Sequence, residues 1–289
     1  MDEGKLKRTI RGEIEQTTGE KVAVSVRDGI AELVGRFQSL QNAVDAGHIA
    51  AGVEQVREVV NDIDYPGKVQ FVVPPKVSDE LTGKDFDVVI VGGGVIGLAV
   101  ARELSRFALR TAVIERHHDL GMDQTAHCNA MIHPALLTER GTLKWEMNYK
   151  GNARWDEVAS QLDVDFKRIG TLVVAENSDE ELFLPGVVEL AKSQNDPEPK
   201  ELDREGLDRI EPGLAPNIRK GVLVWNTGII GVFELIIAYA ENAWANGVRF
   251  FLDTSAIGVR VENGSIRAVE TTRGTLKTRI LINTAGIYA

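Results

Sequence analysis

The sequence predicts an α/β protein in which a small α+β unit precedes a larger domain built on a β-α-β core. Three observations carry this. Phe86–Val91 is apolar apart from Asp87, Val95–Phe107 repeats Ile96, Leu98, Ala99 and Leu104 at helical spacing, and Arg110–Ile114 is a second strand-length run. That order gives a helix crossing between two parallel strands. Earlier in the chain, Val22, Val24 and Val26 alternate with Ala23, Ser25 and Arg27, and Asp28-Gly29 then leads into Ile30–Val34, which predicts a tight hairpin. Between these regions, Tyr65–Lys84 holds Pro66-Gly67, Pro74-Pro75 and Gly83, with one short apolar run, Val69–Val73. Its punctuation predicts a linker over 66–84, separating a unit at 1–65 from a domain at 85–289.

The remaining elements follow in order. Leu6, Ile10 and Ile14 predict a short amphipathic helix over Lys5–Gln16, and Leu40–Ala51 is alanine-rich and helical. Val53–Val60 ends strand-like. In the larger domain, Leu143–Leu162 predicts one long amphipathic helix and Gly170–Val174 a strand. Glu176–Asp203 is polar and partly helical, and Phe233–Asn246 is a helix. Val248–Leu252, Ala256–Val261, Ser265–Thr271 and Arg279–Ile282 are strands, with turns at Asn263-Gly264 and Arg273-Gly274.

Composition narrows the function classes. A chain of 289 residues with 43% hydrophobic and 26% charged residues buries a real core without staples. Its formal net charge of −10 repels a phosphate backbone, so nucleic acid is not an expected partner. A single cysteine, Cys128, allows no internal disulfide and suits a reducing compartment. The amino terminus reads as no secretory signal, no run reaches the length of a membrane span, and no Cys/His cluster has metal spacing. The expected location is cytoplasmic, with no metal.

The chemistry is concentrated at Gly92-Gly93-Gly94-Val95-Ile96-Gly97, a G-x-G-x-x-G loop between strand and helix. Gly92 permits the tight turn out of the strand, Gly94 admits a pyrophosphate to the backbone, and Gly97 lets the helix pack closely. The helix N-terminus then offers N–H groups to phosphate. Glu115, ending the second strand, is placed to accept two hydrogen bonds from a ribose diol and to repel a 2′-phosphate, which disfavours NADP. The motif alone does not separate NAD from FAD.

The order helix, hairpin, helix, strand, with Gly29, Gly52-Val53 and Val60-Asn61, resembles the BON module over about the first sixty residues. The resemblance implies an interaction or membrane-association unit, with a protein or peripheral membrane contact as its expected role. Residues 85–289 resemble the FAD-dependent D-amino-acid-oxidase-like superfamily, in its glycerol-3-phosphate dehydrogenase and L-2-hydroxyglutarate oxidase branch. The blocks that carry this are Asp87–Leu104, Val113–Arg116, Gln124–His133, Gly141–Gly151, Phe166–Val174, Leu202–Leu214, Gly228–Asn242 and Ile280–Tyr288. The resemblance implies an FAD-binding, Rossmann-like domain of the glutathione-reductase type, interleaved with an α+β substrate domain largely over 140–235. It implies FAD as cofactor, with Gly92, Gly94, Val95, Ile96 and Gly97 at the phosphates, Glu115 at the adenosine ribose and Arg116 among the cofactor-binding residues. Thr125 and Ala126 then lie along the pyrophosphate and ribityl chain, Ala256 near adenine, and Ala285 and Gly286 close to the cofactor. Two segments depart from the family's pattern. Asn129-Ala130-Met131 precedes Ile132-His133, with Pro134-Ala135 after it, and Gly228-Ile229-Ile230-Gly231-Val232 replaces a pattern ending in Asp-Pro. In that family Asn283–Ala289 falls in mid-domain, so the resemblance also implies a truncated or split chain, completed by a second one.

His127 and His133 are the candidate catalytic residues, either one a base for a substrate hydroxyl or a hydrogen-bonded core histidine. His117-His118 reads as a solvated pair and Cys128 as a small packed residue. Arg140, Lys144 and Arg168 are candidates for an anionic substrate group, or solvated helix cations. Trp145, Trp155, Trp225 and Trp244 read as core. The expected activity is oxidation of a small anionic alcohol, glycerol 3-phosphate or a 2-hydroxy acid, with electrons leaving to a quinone, an iron–sulfur protein or oxygen. Amine oxidation on the same fold and flavin binding without turnover are the alternatives.

Overall fold

The computed structural model describes residues 2–68, 72–194, 196 and 198–289. The start of the apolar run Val69–Val73 lies outside the described residues. The chain divides into two compact units, Met1–Val73 and Pro74–Ala289.

In the first unit, α1 (Glu3–Thr18) is capped by the Asp2 carboxylate and ended by left-handed Gly19. It buries Leu6, Ile10 and Ile14 on one side. β1 (Ala23–Arg27) and β2 (Ile30–Arg36) pair antiparallel across Asp28-Gly29, both at positive φ, the backbone that a two-residue hairpin requires. After α2 (Leu40–Gly52), β3 (Glu58–Asp64) pairs parallel with β2. Ile10, Ile14, Val24, Leu33, Phe37, Ala46 and Ile63 share one core. Alanines on α2 let that helix lie close to the sheet.

The second unit centres on four parallel strands. β4 (Val88–Val91) leads through the glycine loop into α3 (Val95–Leu104) and β5 (Thr111–Ile114). Next come β6 (Met131–Ile132), α4 (Leu143–Asn152), α5 (Trp155–Leu162), β7 (Phe166–Arg168), β8 (Thr171–Ala175), the single turn α6 (Ser178–Glu181), α7 (Leu184–Ser193), β9 (Lys200–Leu202), α8 (Arg204–Ile210), β10 (Lys220–Val224) and β11 (Gly228–Ile230). α9 (Val232–Ala245) leads to β12 (Arg249–Phe251), the antiparallel meander β13 (Ala256–Glu262), β14 (Ser265–Thr271) and β15 (Gly274–Lys277), and β16 (Ile280–Asn283). The parallel sheet runs β12-β5-β4-β16. Strand alternation separates its two faces. Val88, Ile90 and Val113 pack with Ala101 and Ala243 of α3 and α9, while Val89, Ala112 and Ile114 pack with Val269 and Leu276 of the meander. β5 is buried throughout, as a parallel strand covered on both faces must be.

Two smaller sheets, β6-β11-β7 and β8-β10-β9, come from the middle of the chain. On β10, Val222 and Val224 face α7, and Leu223 faces Leu207 of α8. Among the described residues no helix is long and apolar enough to cross a membrane.

Three expectations change. The second half of the expected linker is built into the larger unit: Val77 and Ser78 donate to Thr272 O, Leu81 N to Arg273 O and Gly83 N to Thr275 O. The Leu81 side chain is buried between meander and sheet. Leu143–Leu162 is two helices, because the Asn152 carbonyl, which a continuous helix would use internally, instead accepts from Arg168 Nη2 at 2.9 Å. The Asn152 amide also turns inward to His133 O and Asn226 O. Trp225 and Trp244, expected in the core, stand 38% and 63% exposed.

Candidate functional site

The glycine loop sits where β4 runs out of the parallel sheet, and three backbones crowd there. Gly92 has φ +106°, which a residue with a Cβ rarely adopts. A Cβ on it would also lie 2.5 Å from Thr284 O, at the end of β16. A Cβ on Gly97 would strike Gly92 O and Thr284 Oγ1. Gly97 is therefore fixed by close packing of helix on strand, and Gly92 by both turn and packing. The Thr284 hydroxyl donates to Val91 O at 2.8 Å and closes the junction.

Gly94 has no such crowding. It is the N-cap of α3 and supplies no side-chain cap. The cap comes from elsewhere: Thr125 Oγ1 accepts from Val95 N at 3.1 Å. A Cβ on Gly94 would lie 3.1 Å from that same hydroxyl. The cradle before the helix is thus kept open by a missing side chain. First-turn N–H groups of α3 lack intrahelical partners and carry the positive end of the helix dipole. Ile96 is exposed at this end.

Glu115 follows β5 and is buried. An unpaired carboxylate there would cost several kcal/mol, and two backbone donors remove that cost. Oε2 accepts from Gly93 N at 2.7 Å and Oε1 from His117 N at 2.9 Å. Each oxygen keeps a further lone pair, so the group still accepts from a diol. Its own backbone is held by Phe251 O and Thr254 N, which leads directly to Ala256 at the start of β13.

Arg116 and His117 turn to the loop that carries Thr125. Arg116 Nη2 donates to Asp123 Oδ2 at 2.8 Å, and His117 Nε2 lies 3.0 Å from the same oxygen. Burial pushes the Asp123 carboxyl up, but hydrogen bonds from His117 and Arg116 outweigh it and hold the carboxyl below the usual carboxylate range. The Arg116 guanidinium also lies 3.9 Å from the centre of the Tyr288 ring. His117 is therefore half-buried and partnered rather than solvated; His118 alone is exposed. Ala126 N donates to Gly121 O, and Gln124 Oε1 accepts from Ile287 N, which brings Ala285 and Gly286 against this loop.

The structure thus gathers Gly92, Gly94, Val95, Gly97, Glu115, Arg116, Thr125, Ala126, Ala285 and Gly286, with Ile96 on the rim. Sequence reasoning missed Gly93, where a Cβ would lie 2.6 Å from Leu120 and 3.2 Å from Glu115 Cβ, and Asp123. The triple glycine was a visible signal for the first; nothing local marks the second.

The two candidate catalytic histidines are both exposed. His127 Nδ1 lies 2.7 Å from Asp123 O. A carbonyl only accepts, so Nδ1 carries the proton and Nε2 is left as the basic nitrogen. His133 lends its carbonyl to Asn152. Cys128 is exposed. Of the candidate anion-binding cations, Arg168 is committed to structure: it donates to Asp156, Asn152 and the Asn226 carbonyl. Arg140 lies 5.6 Å from the centre of the Trp145 ring. Among the described residues no group of three or more His, Cys, Asp or Glu is placed to hold a metal.

Fold and site together define a mixed α/β protein with an open glycine loop before a helix and a buried, amide-held carboxylate at the carboxyl ends of parallel strands. The family described as FAD dependent oxidoreductase matches residues 87–289, and the chain belongs to that family. It is 39% identical over 204 residues to a glycerol 3-phosphate dehydrogenase of Caloramator mitchellensis, covering 71% of this chain and 42% of that one. It is 26% identical over 219 residues to the mitochondrial L-2-hydroxyglutarate dehydrogenase of Nematostella vectensis, covering 71% and 48%. Among solved structures it resembles the L-α-glycerophosphate oxidase of Mycoplasma pneumoniae with FAD bound, at TM-score 0.64 and 26% identity, covering 71% of this chain and 55% of that one. The chain spans about half the length of the curated relatives it matches.

Proposed function

We propose that this chain binds FAD through an FAD-binding, Rossmann-like domain of the glutathione-reductase type and oxidises a small anionic alcohol, glycerol 3-phosphate or a 2-hydroxy acid. The observation that carries the reading is the open cradle at Gly94 facing buried, backbone-held Glu115. It occurs in a chain that shares 39% identity over 204 residues with a protein named for glycerol 3-phosphate oxidation. FAD, when bound, supplies the hydride acceptor. Amides at the start of α3 hold the phosphates, Glu115 accepts the ribose hydroxyls, and Arg116 closes that side. Thr125 and Ala126 line the chain beyond, Ala256 meets adenine through its backbone, and Ala285 and Gly286 leave room. His127 takes the substrate hydroxyl proton on Nε2, with His133 as the alternative base. Residues 140–235 provide most of the substrate side. Electrons pass to a quinone, an iron–sulfur protein or oxygen. The first unit acts as a BON-like module that docks a partner or a membrane surface.

The test is the visible absorption spectrum of the purified protein, followed by anaerobic addition of glycerol 3-phosphate or L-2-hydroxyglutarate. Flavin bands bleached by one of these support the reading. Bound flavin that stays oxidised with both removes the substrate class.

A further inference from the structure

Glu115 is aimed by its surroundings rather than by its own rotamer alone. One of its two donors, the His117 N–H, belongs to a peptide whose orientation depends on where His117 goes. That residue is held at three points: its carbonyl accepts from Asp253 N at 2.9 Å, and its ring Nε2 lies 3.0 Å from Asp123 Oδ2 and 3.2 Å from Arg116 Nε. The neighbouring Arg116 is tied to the same Asp123 oxygen at 2.8 Å and packs on the Tyr288 ring. One carboxylate oxygen thus contacts both side chains that follow Glu115, which also contact each other through Arg116 Nε and His117 Nε2. The loop that carries Asp123 is itself bound to the glycine loop, through Gly121 N to Gly93 O at 3.0 Å and Thr125 Oγ1 to Val95 N at 3.1 Å. Removing Asp123 takes one anchor from each of Arg116 and His117, leaving their side chains only the Arg116 Nε contact to His117 Nε2 at 3.2 Å and the Tyr288 ring, and the His117 N–H is then held less firmly towards Glu115 Oε1.

We infer that Asp123 is a positioning residue for ribose recognition, setting the direction of the Glu115 carboxylate through His117 and Arg116. The inference rests on the proposed reading of the cleft as an FAD site. Its consequence is specific. A residue that merely holds the loop lowers affinity for every ligand alike. A residue that aims Glu115 governs the preference for an adenosine ribose that carries its 2′-hydroxyl.

The experiment titrates the full-length apoprotein with FAD and with its 2′-deoxyadenosine analogue, by calorimetry, for wild type, Glu115→Gln, Asp123→Ala and Asp123→Asn. Wild type is expected to favour FAD by roughly 10-fold, the worth of one hydrogen bond to a charged group. Glu115→Gln is expected to lose most of that preference. Asp123→Ala is expected to reduce it below about 3-fold, and Asp123→Asn to fall between, since its amide oxygen still accepts from one neighbour. If Asp123→Ala does not fold, Asp123→Asn carries the test alone. Asp123 variants that bind both ligands more weakly but keep the wild-type ratio overturn the inference. Wild type that binds FAD without preferring the ribose form overturns it too, while leaving the FAD reading intact. Wild type that binds no FAD removes the parent reading and this one together.

Discussion

The two ends of the parallel sheet treat polar groups in opposite ways. At the amino ends of the strands, exposed charges satisfy one another. Arg110 pairs with Asp87 at 3.2 Å and Asp85 at 3.5 Å, and Arg279 reaches Asp87 at 3.7 Å, around an open cleft of about 310 Å³. At the carboxyl ends there are few side chains. Gly92, Gly93 and Gly94 present backbone, and buried Glu115 is held by amides. Exposed ion pairs contribute little, since solvent screens them and already solvates their parts. Backbone donors at a helix start and a buried carboxylate with spare lone pairs gain much more from a matching ligand. Numbers of charges do not locate the site; unspent polar capacity does.

Substitutions at the two ends sharpen that contrast. The largest effect is expected at Gly97→Val, where the new side chain meets Gly92 O and Thr284 Oγ1 with no free space. The loss of stability should exceed about 3 kcal/mol, read as a fall in denaturant midpoint. Glu115→Ala comes next. It leaves the Gly93 and His117 amides without their acceptor, at about 1–3 kcal/mol each, and thermal melting should show a drop of several degrees. A melt unchanged by Glu115→Ala would mean that the carboxylate is not structurally engaged. The smallest effect belongs to Asp87→Asn at the other end. Side-chain hydrogen bonding from Arg110, then the Arg110 backbone N–H, holds the Asp87 carboxyl below its ordinary value of 3.8. A depressed folded value stabilises above the ordinary value and is lost as pH falls through the folded one. Asp87→Asn should therefore lower the melting temperature slightly at neutral pH and make no difference well below pH 3.8. An equal deficit at both extremes would place the cause in packing instead of charge.

The glycine loop was legible because its constraint is local: a turn and two close approaches leave only glycine at Gly92 and Gly97. The β-α-β order was legible for the same reason, as fully apolar strands against a helical repeat. What stayed hidden depends on partners distant in sequence. The break between α4 and α5 is made by Arg168, whose guanidinium takes the Asn152 carbonyl. Nothing within Leu143–Leu162 announces it. Residues 77–84 looked like linker by their composition, yet Leu81 is buried because the meander that covers it arrives almost two hundred residues later. His117 looked solvated until Asp123 was brought to its ring. On the substrate side, β6, β7 and β11 are two or three residues long, too short for any period to show.

In the proposed reading, the cradle before α3 admits the phosphates of FAD because Gly94 has no side chain. Gly94→Val separates this from folding, since Gly94 has none of the crowding that fixes Gly97: its nearest neighbour to a new Cβ is one hydroxyl at 3.1 Å. The direct measurement is a calorimetric titration of FAD into the wild-type and Gly94→Val apoproteins, with far-ultraviolet circular dichroism to confirm that both are folded. Wild type is expected to show saturable one-to-one binding, and the variant a loss of at least about 100-fold, with valine methyls in the phosphate position. A folded Gly94→Val protein that binds FAD as tightly as wild type would contradict it.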